Sequence, residues 1–569
     1  MKHFLIYILL FNFGLTSYAQ NIQLELTGSS ISETKVIDSL NYLSKHTNAK
    51  SIRDEIELTI EKLSQIGFIE TKILAENKIN DSTYSANLNL GERITHIHIY
   101  IGTNLILRTL LSTNNLKDTI ILPYRQTEAF LNQGLQDLDK MGYAFAKLKL
   151  TKIQKKETTI FATLYLEQEN LRKLNSIVIK YGTLEQNGDF PKGYLAQINR
   201  KYKDKIFNKQ LIGQIHDDFE NYNFVDQIRY PEILFTKDTT KVYVYVEKRK
   251  SNTFDGFIGF NNNESKKLSF NGYLDLTLQN ILKAGEQFSL YWKSDGNQQK
   301  TFSTALELPY IFKSPLGLKG QLNIFKQDST FQNTKTAINI SYYLNYNTRL
   351  YLGYQSTVSS DIQNIKSASI TDYNSNYLTS EFEYFKLDTN NSLFWNKSQL
   401  NIKTGIGKRK TNDVTDNSVK NRQFYIDLFA IYTFYLNNKN YINIRSQNHY
   451  LQSTNYITNE LFRFGGINSI RGFSENSLQA NFMTAILTEY RYFASQTLYF
   501  HTIIDYCYFK DPSKLETTET NSNLFGAGFG LGLLTNSGLL KLAFANGLNN
   551  TDNVTFANSI IHISYSVKF

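Results

Sequence analysis

Beyond residue 250 apolar and polar positions alternate with period two, in one short segment after another. In the last segment Ile561, Ile563, Tyr565, Val567 and Phe569 share one face, and His562, Ser564, Ser566 and Lys568 the other. Ile442 and Ile444 likewise alternate with Asn443 and Arg445. This period predicts strands. Sixteen fit, near 254–263, 267–280, 286–295, 298–310, 317–328, 331–344, 347–360, 373–388, 398–410, 422–437, 440–453, 479–493, 497–510, 522–535, 539–548 and 559–569. None is apolar throughout. An apolar outside and a polar inside describe a closed transmembrane β-barrel, whose closure leaves no backbone group unpaired in lipid. A soluble sandwich can alternate too, but not over sixteen strands behind an export segment. An even strand count returns the C-terminus to the side of the N-terminal domains, the periplasm.

Residues 20–250 carry a different rhythm, repeated three times. A helical stretch runs into an aromatic turn and then two strands: Asp54 to Leu63, Gly67-Phe68, Thr71 to Leu74 and Tyr84 to Leu90. The second copy is Thr127 to Leu138, Gly142-Tyr143, Ala146 to Leu150 and Thr158 to Leu166; the third is Leu211 to Phe219, Asn223-Phe224, Tyr230 to Phe235 and Lys241 to Val246. Each opens on a strand (Ile22 to Leu26, Ile94 to Ile101, Leu174 to Lys180), which gives the order β-α-α-β-β. The turn positions Gly67, Gly142 and Asn223 stand where a helix C-terminus wants a residue that tolerates positive φ. The bland alternative is three unrelated α+β modules. The expected boundaries are 1–19, 20–92, 93–170, 171–250 and 251–569.

The first of these segments is a removable one. Lys2 and His3 precede an apolar stretch from Phe4 to Leu15, and Ser17-Tyr18-Ala19 offers a small-x-small cleavage site, so a signal peptide ending at Ala19 is expected. Its apolar stretch is too short to cross a bilayer core, which needs roughly twenty residues. Tyr and Phe, 38 and 39 in number, crowd the second half, where a barrel needs interfacial girdles. Only 6 prolines interrupt the chain, which suits long strands. A single cysteine, Cys507, excludes internal disulfides and multi-cysteine metal sites. The net charge of +10 is spread along the chain and forms no phosphate-binding stripe, so no nucleic-acid partner is expected. Lys201 to Lys205 and Lys248-Arg249-Lys250 read as solvated surface.

One stretch departs from the barrel pattern. Thr454 to Leu478, between the eleventh and twelfth strands, is glycine- and aromatic-rich where a long barrel loop is usually polar. It carries Phe464-Gly465-Gly466-Ile467-Asn468-Ser469-Ile470-Arg471-Gly472-Phe473. An apolar loop beside a polar lumen is best explained if it packs inward, with glycines allowing close approach. Arg471 then needs an acidic partner, because an unpaired buried cation is costly. Glu489 and Asp505, on the strands that follow, are the candidates. The alternative is a surface loop with a solvated Arg. Further on, Gly526-Ala527-Gly528-Phe529-Gly530-Leu531-Gly532 leaves one strand face bare, a face expected to meet the inserted loop. It is no phosphate loop, since no Lys-Ser/Thr and no helix follow.

The Arg471-Gly472-Phe473 loop resembles that of the outer-membrane assembly-factor superfamily, the bacterial surface antigen type that is BamA- and TamA-like. In that superfamily the loop folds into the lumen and its Arg pairs with acidic groups on the strands just after it, a placement that Glu489 and Asp505 match. The family usually has Gly two residues after the strand Asp, where Cys507 stands here. The glycine-rich hairpin leading to Gly538-Leu539-Leu540-Lys541-Leu542 resembles the family's penultimate hairpin, and Phe569 the C-terminal aromatic by which such barrels are recognised for assembly. The three N-terminal copies resemble polypeptide-transport-associated (POTRA) domains, with Asn223 as the departure in the third. The resemblance implies an outer-membrane factor with periplasmic N-terminal domains that inserts or translocates client polypeptides, aided by periplasmic or lipoprotein subunits.

Signals for enzymes were sought in vain. The chain has no Gly-x-Ser-x-Gly elbow, no His-Glu-x-x-His, no Cys pair and no calcium loop, and no catalytic residue or cofactor is expected. His96 and His98 share a strand face without a third ligand, which reads as surface rather than metal site. The rival reading is a two-partner secretion transporter or other outer-membrane channel. Three repeats and no obvious plug helix or plug domain favour the insertase. The client is not legible.

Overall fold

The computed structural model describes residues 22–110, 118–182, 190–262, 268–295, 299–363, 370–388, 394, 396–412, 418–513, 521–535, 538–549 and 559–568. The expected signal peptide, 1–19, and the terminal Phe569 lie outside the described residues. The chain divides into two compact units. One runs to Lys173 and includes Lys205–Leu211; the other holds Leu174–Asp204 and Ile212 onward.

The first unit contains two α+β layers of the same design. In the first, β1 (Ile22–Gly28), α1 (Ile31–Asp38), β2 (Lys45–His46), α2 (Ala49–Gln65), β3 (Lys72–Asn80) and β4 (Thr83–Asn89) form a sheet of order β2-β1-β4-β3, with β1 parallel to β4. Ser30 caps α1: its Oγ accepts the Glu33 N–H at 3.2 Å, and the Glu33 carboxylate accepts the Ser29 N–H at 2.9 Å. The apolar stripe Ile52, Ile56 and Leu63 of α2 packs on Leu24, Leu26, Ala86 and Leu88. In the second, β5 (His96–Tyr100), α3 (Leu105–Leu110), β6 (Thr119–Pro123), α4 (Thr127–Lys140), β7 (Lys147–Lys156) and β8 (Thr159–Glu167) give the order β6-β5-β8-β7.

The repeated glycines have a shared mechanical reason. After α2 the Phe68 N–H reaches Leu63 O at 2.9 Å and the Gly67 N–H reaches Ser64 O at 3.0 Å; after α4 the Tyr143 and Gly142 N–H groups reach Leu138 O and Asp139 O at 3.0 and 2.8 Å. Both are Schellman closures. They place Gly67 and Gly142 at φ of 109° and 95°. A β-carbon on Gly67 would lie 2.3 Å from Ile94 O.

The third copy belongs to the second unit and differs. Here β9 (Ser176–Tyr181), α5 (Lys192–Tyr202), α6 (Lys209–Glu220), β10 (Val225–Phe235) and β11 (Thr240–Lys248) make a sheet of order β10-β11-β9. Asn223 does not take a positive φ, so the expected left-handed turn is absent there. The helix ends instead on bonds from Asn221 N–H to Asp217 O and from Tyr222 N–H to Phe219 O, which need no such residue. The short strands β2 and β6, which the first two sheets carry beside β1 and β5, were not expected from the pattern.

The remaining strands close into a sixteen-stranded antiparallel barrel, from a first strand at Thr253–Asn262 to a last at Ile560–Lys568. The predicted alternation carries through. In the sixth strand (Phe331–Asn345) Ile338, Ile340, Tyr342 and Leu344 face outward, and Ala337, Asn339, Ser341 and Tyr343 face the lumen. Ile561, Ile563 and Tyr565 face outward on the last strand. Outward Tyr432, Phe434, Tyr490, Tyr492 and Phe500 gather toward the end at which the first strand begins, as an interfacial girdle. The interior is wired by polar bonds, such as Tyr343 Oη to Glu307 at 2.5 Å, Arg349 to Glu307 at 3.1 Å and Tyr351 Oη to Glu383 at 2.8 Å. An aliphatic outside around a hydrogen-bonded inside inverts a soluble protein and fits a transmembrane barrel.

Candidate functional site: the lumen loop and the seam

Residues 453–481 join the eleventh strand (Asn440–Gln452) to the twelfth (Phe482–Phe493) and fold back into the lumen. A single turn of helix at Thr458–Glu460 leads into a small hairpin of its own, Phe462–Phe464 paired with Leu478–Ala480. The twelfth barrel strand therefore begins at Phe482, three residues later than its pattern suggested. Phe464, Ile470 and Ala480 of the loop pack on Met483, Ala485, Leu487, Cys507, Phe509 and Leu524 of the wall. Cys507 is fully buried in this cluster. The apolar loop thus covers an apolar patch of an otherwise polar lumen.

Arg471 lies at the loop's tip, 5% exposed. Its guanidinium is held by both acidic residues that the sequence placed nearby. Nε donates to Asp505 Oδ2 at 2.8 Å and Nη2 to Asp505 Oδ1 at 2.5 Å, the bidentate arrangement that a planar fork permits. Nη1 donates to Glu489 Oε1, and Nη2 also reaches Thr488 O at 3.3 Å. Arg491 donates to the other Glu489 oxygen at 2.6 Å. Two arginines and two carboxylates are thus paired in a buried network, which offsets part of the desolvation cost. Asp505, on the thirteenth strand (Leu498–Lys510), is 1% exposed.

Gly472 follows at φ +89°, pressed on the fifteenth strand (Leu539–Asn549): a β-carbon there would lie 2.4 Å from Asn546 C and Gly547 N. A β-carbon on Gly547 would meet Gly472 O at 2.5 Å and the Phe473 ring at 2.7 Å. The bare face of the fourteenth strand (Asn521–Leu534) meets the loop only in part. Gly526 backs onto Arg471 O, but the space at Gly528 is closed by the Phe544 and Ala545 backbone, and Gly530 and Gly532 seat the rings of His501 and Tyr499. Most of the missing side chains make room for the wall's own.

Sequence reasoning missed a second set of anchors. Glu460 pairs with Arg409 of the ninth strand (Asn396–Asn412), a residue 1% exposed, and accepts Gln423 Nε2 at 2.7 Å. Asn459 donates to Ser359 Oγ at 2.8 Å and Thr371 O at 2.9 Å, and its carbonyl accepts Asn333 Nδ2 at 2.7 Å. Glu475 pairs with Lys293 of the third strand (Gln287–Asp295) at 2.8 Å. The loop is thus fastened around the lumen. The available signal was two Glu residues, Glu460 and Glu475, in an apolar loop, which need cations as much as Arg471 needs an anion.

The barrel's closing seam is short. Among the described residues the first and last strands pair at Thr253↔Lys568, Phe254↔Val567 and Asp255↔Ser566 alone, whereas the first and second strands pair from Thr253 through Asn262.

No protein-family model and no curated protein matches the chain. Among solved structures, CdiB from Acinetobacter baumannii is similar at 14% identity and a TM-score of 0.51, over 82% of this chain and 86% of that one. CdiB from Escherichia coli is similar at 13% identity and a TM-score of 0.48, over 91% and 98% of the two chains. BamA from Haemophilus ducreyi lacking POTRA domains 1–3 is similar at 15% identity and a TM-score of 0.47, over 83% and 99%. The Acinetobacter protein shares the fold over that length.

Proposed function

We propose that the chain is an outer-membrane protein assembly or translocation factor, with its POTRA-like domains in the periplasm. Client polypeptides are captured on the N-terminal domains and are inserted through, or passed along, the barrel. The work is physical rather than chemical: strands exchange hydrogen-bonded partners, and no covalent bond is made or broken. The seam carries this reading. A junction held by three residue pairs opens at far lower cost than any other in a closed sheet.

The sheet edges supply the capture step. The edge strands β3, β7 and β10 are interrupted by register shifts at Ile73/Ala75, Thr151/Gln154 and Gln227/Arg229. Such bulges discourage strand addition. β9 is the better acceptor. It ends its sheet among the described residues, and near its start Asn199 Oδ1 takes the Ile177 N–H at 2.9 Å. A client strand adds there by β-augmentation and continues to the seam. Lipoprotein or other periplasmic subunits are the natural accessories.

A disulfide across the seam, Asp255→Cys with Ser566→Cys, tests the exit. Oxidised barrels should stop assembling a client, and reduction should restore the rate. Equal rates in both states would move the exit to the lumen, the route of a two-partner secretion transporter.

A further inference from the structure

Most periplasmic turns of the barrel are short and polar, such as Asn437-Asn438-Lys439 and Ala494-Ser495-Gln496-Thr497. Two are not. Asn280-Ile281-Leu282-Lys283-Ala284-Gly285 joins the second strand to the third, and Tyr310-Ile311-Phe312-Lys313-Ser314 joins the fourth to the fifth. The first adjoins the seam strand through the second strand, and the other lies two strands further round the wall. Both present bulky apolar tips: Phe312 is 96% exposed, Leu282 74% and Ile281 54%. Such exposure in water is a standing cost.

The two turns hold their tips out at a conformational cost. Tyr310, Phe312 and Lys313 take φ of 51°, 54° and 57°, and Asn280 and Lys283 take 54° and 60°, left-handed values that bulky side chains rarely adopt. Neighbours enforce them. Glu286 accepts the Leu282 and Ala284 N–H groups at 2.6 and 3.1 Å. From α5, the Tyr194 ring lies on Gly285, where a β-carbon would sit 2.3 Å from Cε2, and stands edge-on to Tyr310 at 4.6 Å. Gln197 Nε2 donates to Lys313 O at 2.6 Å. One helix of the third domain therefore buttresses both turns.

The outward apolar face of the wall runs down to these tips. Leu306, Leu316 and Leu318, on the strands flanking Phe312, are each about two-fifths exposed to the outside of the barrel. Lys283 and Lys313 stand beside the apolar tips, both exposed. Apolar tips with adjacent cations, continuous with a lipid-facing belt, fit the headgroup region of a phospholipid leaflet. We propose that these two turns are a lipid anchor on the seam side of the barrel, with Ile281, Leu282 and Phe312 inserted into the periplasmic leaflet, and with α5 setting their depth. The position of the third domain is thereby coupled to the bilayer next to the exit for client strands.

The test uses the full chain in phospholipid vesicles. Phe312→Cys and Leu282→Cys each carry a small thiol-linked fluorophore, with Ile338→Cys on the belt and Lys439→Cys on a polar turn as references. Cys507 is buried, and its labelling is measured on the parent chain. Spin-labelled lipid should quench positions 312 and 282 at least threefold more than 439, and Tyr194→Ala should bring 312 down toward 439. Quenching at 312 and 282 no greater than at 439, while 338 is quenched, overturns the anchor and leaves the membrane barrel standing. No quenching at 338 overturns the membrane reading and the anchor with it. Shielding from aqueous iodide in whole envelopes, without lipid quenching in vesicles, assigns the tips to a protein partner and also overturns the anchor.

Discussion

Asp505 Oδ2 accepts two bonds from Arg471, one from its backbone N–H at 3.0 Å and one from Nε at 2.8 Å. Side chain and main chain of one residue are thus fixed to a single atom of the wall. Arg471→Ala removes the fork, leaves Asp505 and part of Glu489 buried without their cation, and costs on the order of 3 kcal/mol. The closed ladder should survive, so the barrel should still migrate faster unheated than heated in a gel. The loop should become cleavable by added protease, and client assembly should fall. Arg471→Lys should restore little, since a point charge cannot serve Asp505 and Glu489 in the planar geometry seen here.

The sixteen strands were legible because lipid outside and polar contacts inside impose period two on each. Where period two misled, the partner was at fault. Leu478 to Ala480 alternates as the twelfth strand should, yet pairs with Phe462–Phe464 inside the loop. β2 and β6 were too short to show a period at all. The Gly67 and Gly142 turns were legible because the backbone there demands glycine. Asn223 showed only that the third copy ends its helix by another route. Arg471 declared itself as a cation between glycines and aromatics, with Glu489 and Asp505 on the strands that follow. Arg409 was hidden in Lys408-Arg409-Lys410, where strand parity alone turns one of three charges inward, and its partner Glu460 is 51 residues away.

Gly472→Ala tests the seat of the loop without touching charge. The new methyl group would meet backbone of the fifteenth strand at 2.4 Å, which cannot move aside as a side chain can, and at a φ of +89°. The cost should be on the order of 3 kcal/mol. Faster hydrogen exchange at Ile470 to Phe473, with the remaining strands unchanged, is the expected result. Normal protection of the loop would show that it is seated by other contacts.

Tyr202 makes the third domain sensitive to alkali. Its ring is buried, and its hydroxyl donates to Asp218 Oδ2 at 2.7 Å. Burial first, and the Asp218 carboxylate second, raise the phenol well above its ordinary value. Burial likewise pushes Tyr194 up to about 12. A raised folded value means that stability is complete below the unfolded value of about 10 and is lost as pH rises toward the folded one. Each such tyrosine should cost about 1.4 kcal/mol per pH unit above that point. Hydrogen exchange in α5 and α6 should therefore rise steeply between pH 10 and 12, and Tyr202→Phe should flatten the slope while lowering stability at neutral pH by roughly 1 kcal/mol for the lost bond.

Arg409 and Glu460 fasten the loop to the wall three strands before Arg471's first partner, and both are almost fully buried. A polypeptide leaving through the lumen must break this pair, whereas one leaving through the seam need not. Glu460→Gln keeps the shape but leaves Arg409 an uncompensated buried cation, so the loop should loosen by about 3 kcal/mol. Replacing both, Arg409→Met with Glu460→Leu, should recover most of that, because the isolated charge and not the lost attraction is the main cost. The discriminating measurement is ionic conductance through single barrels in planar bilayers. The parent and the double variant should be nearly closed, and Glu460→Gln should open often. If seam-locked barrels lose client assembly while Glu460→Gln leaves it unchanged, clients use the seam, and the loop serves as a stopper. If Glu460→Gln speeds client passage in seam-locked barrels, the lumen is the path and the loop is its gate.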